Sequence, residues 1–186
     1  MHHPNTVTPP PARFNFARHL IATVAQRRDT TALIDDVGSL SYGQLAEPVE
    51  RLSSALRDLG LQREDRVLLL MQDGSDWVES FLAALHAGVV PVAVNTLLTP
   101  KDYAYMLADS RAQAALVSGA LLPTLAAARA DGGHELRHVV VSRANGAAPT
   151  LDVPVRDWAT LLASGVRAQA ADTHADEAAF WLYSSG

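Results

Sequence analysis

With 186 residues, 48% of them hydrophobic, the chain can bury the core of one α/β domain but not of two large ones. A net charge of −5 excludes a broad basic surface for nucleic acid or an anionic membrane. The absence of cysteine excludes disulfides and thiol catalysis, and no apolar run reaches the roughly 18–20 residues of a membrane span.

Residues 1–13, with Pro9-Pro10-Pro11, read as an extended tail lacking the apolar core of a signal peptide, so a cytoplasmic setting is expected. Phe14 to Gln26 is predicted as a first helix. Thr31–Asp35 and Ser39–Tyr42 read as short strands around a hairpin turn at Asp36-Val37-Gly38. Ser41 and Gln44 have capping-box spacing. Leu45, Val49, Leu52, Leu56 and Leu59 then recur at helical spacing until Gly60. Pro48 argues for a kink there or a helix that starts at it.

From residue 66 the pattern turns regular. Val67–Met71 and Val89–Val94 are continuous apolar runs, as in strands buried on both faces, with Pro91 an objection to a fully central place. Between them Asp73-Gly74 turns the chain, Ser75 is placed to cap, and Trp77, Phe81 and Leu85 form the core stripe of a helix that Gly88 stops. His86 beside that stripe reads as half-buried and hydrogen-bonded, and Asp76 as compensation of the helix dipole. Thr99-Pro100 opens another helix, with Tyr103, Met106 and Leu107 inward. Ala114–Val117 is a strand, Ala120–Ala130 a helix and Val139–Ser142 a strand. Residues 143–154 read as loop, Asp157–Ala163 as a short helix and Val166–Glu177 as a polar connector. Asp35, Asp36 and the acids of 172–177 read as solvated surface. A last apolar run, Ala178–Tyr183, delivers Ser184-Ser185-Gly186. Strands alternating with helices predict an α/β fold: a mostly parallel sheet of about five strands with helices on both faces. Residues 14–65 form a helix and strand segment in front of this 66–186 repeat.

A strand that ends in Ser-Ser-Gly offers hydroxyls and free amides at a strand's carboxyl end, where α/β sheets hold phosphates. Alone, three small residues after a strand are not diagnostic. Phe180-Trp181-Leu182-Tyr183-Ser184-Ser185-Gly186, however, resembles the opening of the phosphate loop of adenylate-forming enzymes. Leu40-Ser41-Tyr42-Gly43-Gln44-Leu45 and Ala84-Leu85-His86-Ala87-Gly88-Val89-Val90-Pro91-Val92 resemble two further motifs of that superfamily, in its order. Gly88–Leu98, Tyr103–Leu107 and Phe180–Tyr183 are similar in particular to benzoate-CoA ligases. The resemblance implies the N-terminal part of an AMP-forming acyl-CoA ligase's large domain. Such a ligase joins an aromatic carboxylate to coenzyme A at the expense of ATP, with Mg²⁺. Tyr183, Ser184, Ser185 and Gly186 would then contact the nucleotide phosphates. No catalytic residue and no metal ligand is assigned within the chain.

Three expectations follow from the resemblance. The loop lysine, acidic Mg²⁺ ligand, acyl pocket and mobile C-terminal domain would lie beyond Gly186, so the chain alone should be inactive. Leu97 occupies about the place where some relatives carry an arginine toward the coenzyme A nucleotide, leaving Lys101 as a substitute. Residues 14–60 would pack on a sheet outside this chain, and without it the chain should self-associate as a dimer, with Ser184–Gly186 frayed.

Two rival readings come from other classes. His134-Glu135-Leu136-Arg137-His138 fits the H-E-x-x-H pattern of zinc peptidases, which needs both histidines on one helix face. Gly132-Gly133 before it and Val139-Val140-Val141 after it predict a loop entering a strand instead. A non-enzymatic α/β binding module would require a natural terminus at Gly186.

Overall fold

A computed structural model describes residues 9–130, 132–144 and 150–184. After helix α1 (Phe16–Val24) come the strands β1 (Thr31–Asp35) and β2 (Gly38–Ser41), which pair antiparallel as an isolated two-stranded sheet. There follow α2 (Tyr42–Asp58), β3 (Arg66–Leu70), α3 (Ser75–Ala87), β4 (Val90–Ala93), α4 (Pro100–Ser110) and β5 (Ala114–Ser118). The remainder is α5 (Leu122–Arg129), β6 (His138–Ser142), β7 (Val155–Asp157), α6 (Trp158–Ser164) and β8 (Trp181–Leu182). Strands β3 to β8 form one six-stranded sheet in the order β7-β6-β5-β3-β4-β8, and every pairing in it is parallel. It has one strand more than the sequence predicts, β7, whose three residues are all exposed.

Pleating sorts the side chains. Val67, Leu69, Ala114, Leu116 and Val140 point to one face, under α2, α3 and α6. Leu68, Leu70, Ala115, Val117, Val139 and Val141 point to the other, under α4 and α5. Helices therefore cover both faces, which is why the strands read as unbroken apolar runs.

Helix α2 begins at Tyr42 and runs through Pro48, so it does not start at the proline. Gln44 reaches back to accept from the Ser41 amide at 2.8 Å. An interior proline costs about 3 kcal/mol. The buried Leu45, Val49, Leu52 and Leu56, each worth about 2 kcal/mol, outweigh it. Because Leu52, Ala55 and Leu56 pack over β3 and β5, α2 is part of the sheet's own helical layer. Among residues 14–60 it is the hairpin that stands proud, with Ile34 80% and Val37 71% exposed.

At the end of α3, Gly88 has φ +77°. Its amide and that of Val89 close onto Leu85 and Ala84 as in a Schellman motif. The 166–177 connector is tied down in two places. Ala171 N donates to the His86 carbonyl at 2.8 Å, and residues 12–14 run beside 173–175 through Phe14 N to Thr173 O and Ala175 N to Ala12 O, both 2.9 Å. Arg63 pairs with Glu177, so that carboxylate is not free surface. These ties deliver β8 to the open side of β4. Among the described residues no helix is long and apolar enough to cross a membrane.

Candidate functional site at the carboxyl edge of the sheet

Strand β8 pairs with β4 through Val92–Trp181 and Ala93–Leu182. One step further, Tyr183 and Ser184 leave the sheet at its carboxyl edge, beside Val94 and Asn95. The Tyr183 ring is half-buried against the core face under α4. Its hydroxyl donates to Asp109 Oδ2 at 2.9 Å, and Tyr105 meets it edge-on with ring centroids 6.3 Å apart. Burial first, and then the Asp109 carboxylate, holds the phenol well above its usual pKa, so it stays a donor. Ser184 is exposed, and Ser185 and Gly186 lie outside the described residues. Of the four residues read from the sequence as phosphate-loop residues, two can therefore be placed, both at this edge.

The neighbouring turn after β4 is rigid. Asn95 Oδ1 accepts from the Leu97 amide at 2.9 Å. The fully buried Tyr103 donates through its hydroxyl to the Asn95 carbonyl at 2.6 Å and accepts from Leu98 N at 3.2 Å. Leu97 is thereby held 88% exposed, and Lys101 is exposed in the first turn of α4. Thr99 and Asp102 cap that helix reciprocally. This corner carries a serine at a strand end, framed by a fixed turn.

Further along the same edge lies an ionic cluster that reading by local pattern missed. Arg143, just after β6, pairs with Asp36 at 2.7 Å, with Asp76 at 3.0 Å and with Asp35 at 3.1 Å. Ser142 Oγ also donates to Asp76. Asp35 Oδ2 accepts from the Ser75 amide at 2.9 Å. The hairpin's carboxylate thus caps α3, and Ser75 is the first helical residue rather than the cap. That amide is the main reason the Asp35 carboxyl is held far below the usual range. Asp35 and Asp76, with side chains 11% and 8% exposed, are structural groups and not solvated surface or simple dipole compensation. A cavity of about 560 Å³ opens here, lined among others by Gln72, Asp73, Ser75 and Arg143.

His134 lies in irregular chain and His138 is the first residue of β6, so the two share no helix face. Glu135 is held by Arg111 at 2.6 Å and Gln113 at 2.9 Å. Among the described residues no group of three or more His, Asp or Glu is placed to hold a metal ion.

The profile of one protein family, AMP-binding enzyme, matches residues 20–186. The chain belongs to that family. Among curated members of known activity, it is 48% identical to the benzoate–CoA ligase of Thauera aromatica, over 96% of this chain and 34% of that one. It is 41% identical to the 4-hydroxybenzoate–CoA/benzoate–CoA ligase of Rhodopseudomonas palustris, over 83% and 28%. The crystal structure of a benzoate CoA ligase from Burkholderia xenovorans superposes with a TM-score of 0.80 at 44% identity, over 91% of this chain and 32% of that one. The chain thus spans about a third of the length of the AMP-binding enzymes it matches.

Proposed function

We propose that the chain serves an AMP-forming acid–thiol ligase of the cytoplasm, one that couples benzoate or a close aromatic acid to coenzyme A with ATP. In this reaction the carboxylate attacks the α-phosphate of ATP, pyrophosphate leaves, and the coenzyme A thiol then displaces AMP from the aroyl adenylate. Mg²⁺ bound with the nucleotide would offset phosphate charge. The role of this chain is positional: β8 seated on β4, with Tyr183 anchored to Asp109, presents Ser184, and Ser185 and Gly186 next to it in the sequence would bind the pyrophosphate portion with it. That pairing is the observation that carries the reading. The identity to benzoate–CoA ligases supports the choice of acid. By itself the chain is expected to self-associate as a dimer.

Benzoate-dependent ATP–pyrophosphate exchange tests the proposal. The purified chain should stay at background, and exchange above background would sink the view that most catalytic groups lie elsewhere. In the complete ligase, kcat/KM should be higher for benzoate than for acetate or long-chain acids. A fatty acid as best substrate would leave an acyl-CoA ligase but remove the aromatic one.

A further inference from the structure

Glu79 lies on α3 one turn beyond Ser75 and Asp76, and it is only 7% exposed. No hydrogen bond from another described residue reaches its carboxyl, whereas Asp35, Asp76 and Glu135 all have donors. It looks into a hollow of about 150 Å³ roofed by the hairpin, with Asp35, Val37, Gly38, Ser39 and Leu40 on the far side. The charged groups facing it are both acidic, Asp76 on its own helix and Asp35 on β1. Arg143, the one cation of the cluster, is already shared among Asp35, Asp36 and Asp76.

The hairpin above this hollow is held to α3 chiefly through charged groups at its turn. Its strands pair only with each other, and Ile34 and Val37 point to solvent. Docking rests on Asp35, whose one carboxylate oxygen takes the Ser75 amide, on Arg143, which pairs with Asp35 and Asp36, and on Leu40 packed against the core between α2 and α3. The other Asp35 oxygen closes the turn within the hairpin by accepting from Val37 N at 3.0 Å and Gly38 N at 3.1 Å. We propose that Glu79 is a proton-operated latch on the β1–β2 hairpin. With the carboxyl neutral the hairpin stays docked on the N-terminus of α3. Ionisation places a third carboxylate beside Asp35 and Asp76 and releases it.

Burial, and then Asp76 and Asp35, pushes Glu79 up to about 7, while Asp35 is held ionised by the Ser75 amide. The proton in this cluster therefore belongs to Glu79 near neutral pH, and the latch opens as pH rises. Opening uncovers the α3 amides and frees Arg143 from two of its three partners, at the mouth of the cavity on the sheet's carboxyl edge.

The test is exchange of the Ser75 amide, the one the docked hairpin covers, in the ¹⁵N-labelled chain, converted to an opening constant, between about pH 5.5 and 8.5. Linkage from an ordinary carboxyl near 4.5 to one near 7 makes the constant rise on the order of thirtyfold over that range. Glu79→Gln should hold this amide closed at every pH, and Asp35→Ala, which removes its acceptor, should leave it open at every pH. Opening that ignores pH in the parent chain overturns the latch, and so does an equal rise in Glu79→Gln. Carboxyl ¹³C titration of Glu79 needs no variant. A midpoint near 7 that the Ser75 amide shift follows supports the latch, and a midpoint near 4.5 overturns it.

Discussion

His86 Nδ1 lies 2.8 Å from Ser53 Oγ, joining α3 to α2 inside the core. The Ser53 hydroxyl donates its one hydrogen to the Glu50 carbonyl at 2.9 Å, which leaves it to accept from the ring. The imidazole is thus a neutral Nδ1–H donor, only 4% exposed, and burial followed by Arg57 lowers its pKa to about 4.

This pair and Glu79 set opposite pH slopes. An unfolded chain takes up a proton on histidine near 6.5 and the native one only near 4. Stability from His86 is therefore complete above pH 6.5 and falls by on the order of 3 kcal/mol toward pH 4. The Glu79 carboxyl holds its proton to about 7 when folded, against 4.5 unfolded, so its contribution is complete below 4.5 and lost as pH rises to 7. Between these limits the two nearly cancel. Urea midpoints of the parent chain should be flat from about pH 4.5 to 6.5, whereas those of Glu79→Gln should climb with pH. A parallel pair of profiles would refute the assignment.

The Tyr183 hydroxyl, donating to Asp109, ties the residues after β8 to α4, beside the edge-on contact of its ring with Tyr105. Tyr183→Phe removes the donor and should cost about 1 kcal/mol. Because β8 is two residues long, the loss should appear locally: faster exchange of the Trp181 and Leu182 amides, with β3 and β5 unchanged. Uniform acceleration across the sheet would mean that the hydroxyl matters to the whole fold.

Much of this architecture could be read from the chain. Val67–Leu70, Val90–Val92 and Val139–Val141 announce buried strands because both faces are covered. Thr99-Pro100 announces a helix start because the hydroxyl caps and the proline suits the first helical position. Strand β7 could not be seen, since Val155-Arg156-Asp157 is exposed and is a strand only through its pairing with β6. The same holds for the ionic cluster. Arg143 meets Asp35 across 108 residues and Asp76 across 67, and no local spacing encodes such a meeting. Tyr183 is legible as the end of the last apolar run, but its anchor Asp109 lies 74 residues away and carries no signal of its own.

Gly165 marks where α6 meets α2. A Cβ built there would stand 2.0 Å from the Arg51 carbonyl oxygen, a backbone atom that cannot swing aside. Gly165→Ala should therefore destabilise the chain by about 1–3 kcal/mol through displacement of α6. Trp158, whose indole donates to Ser80 Oγ at 2.8 Å, reports on it: its near-UV signal should weaken. An unchanged melting temperature would show that α6 can shift freely.

Self-association should run through β8. Phe180, Trp181 and Leu182 are 47%, 36% and 68% exposed in sequence, and no described strand covers the outer edge of β8. Apolar side chains beside an unpaired edge invite a second chain to add its own edge. Two copies related by a two-fold axis would pair their β8 strands antiparallel, the simplest closed arrangement. The hairpin is a weaker candidate, because its exposed Ile34 and Val37 flank the charged Asp35 and Asp36. Light scattering across a concentration series should therefore show a monomer–dimer equilibrium that Leu182→Lys shifts to monomer and Ile34→Lys leaves in place. A clean monomer at high concentration would contradict association altogether. A dimer indifferent to Leu182→Lys but lost in Ile34→Lys would move the interface to the hairpin.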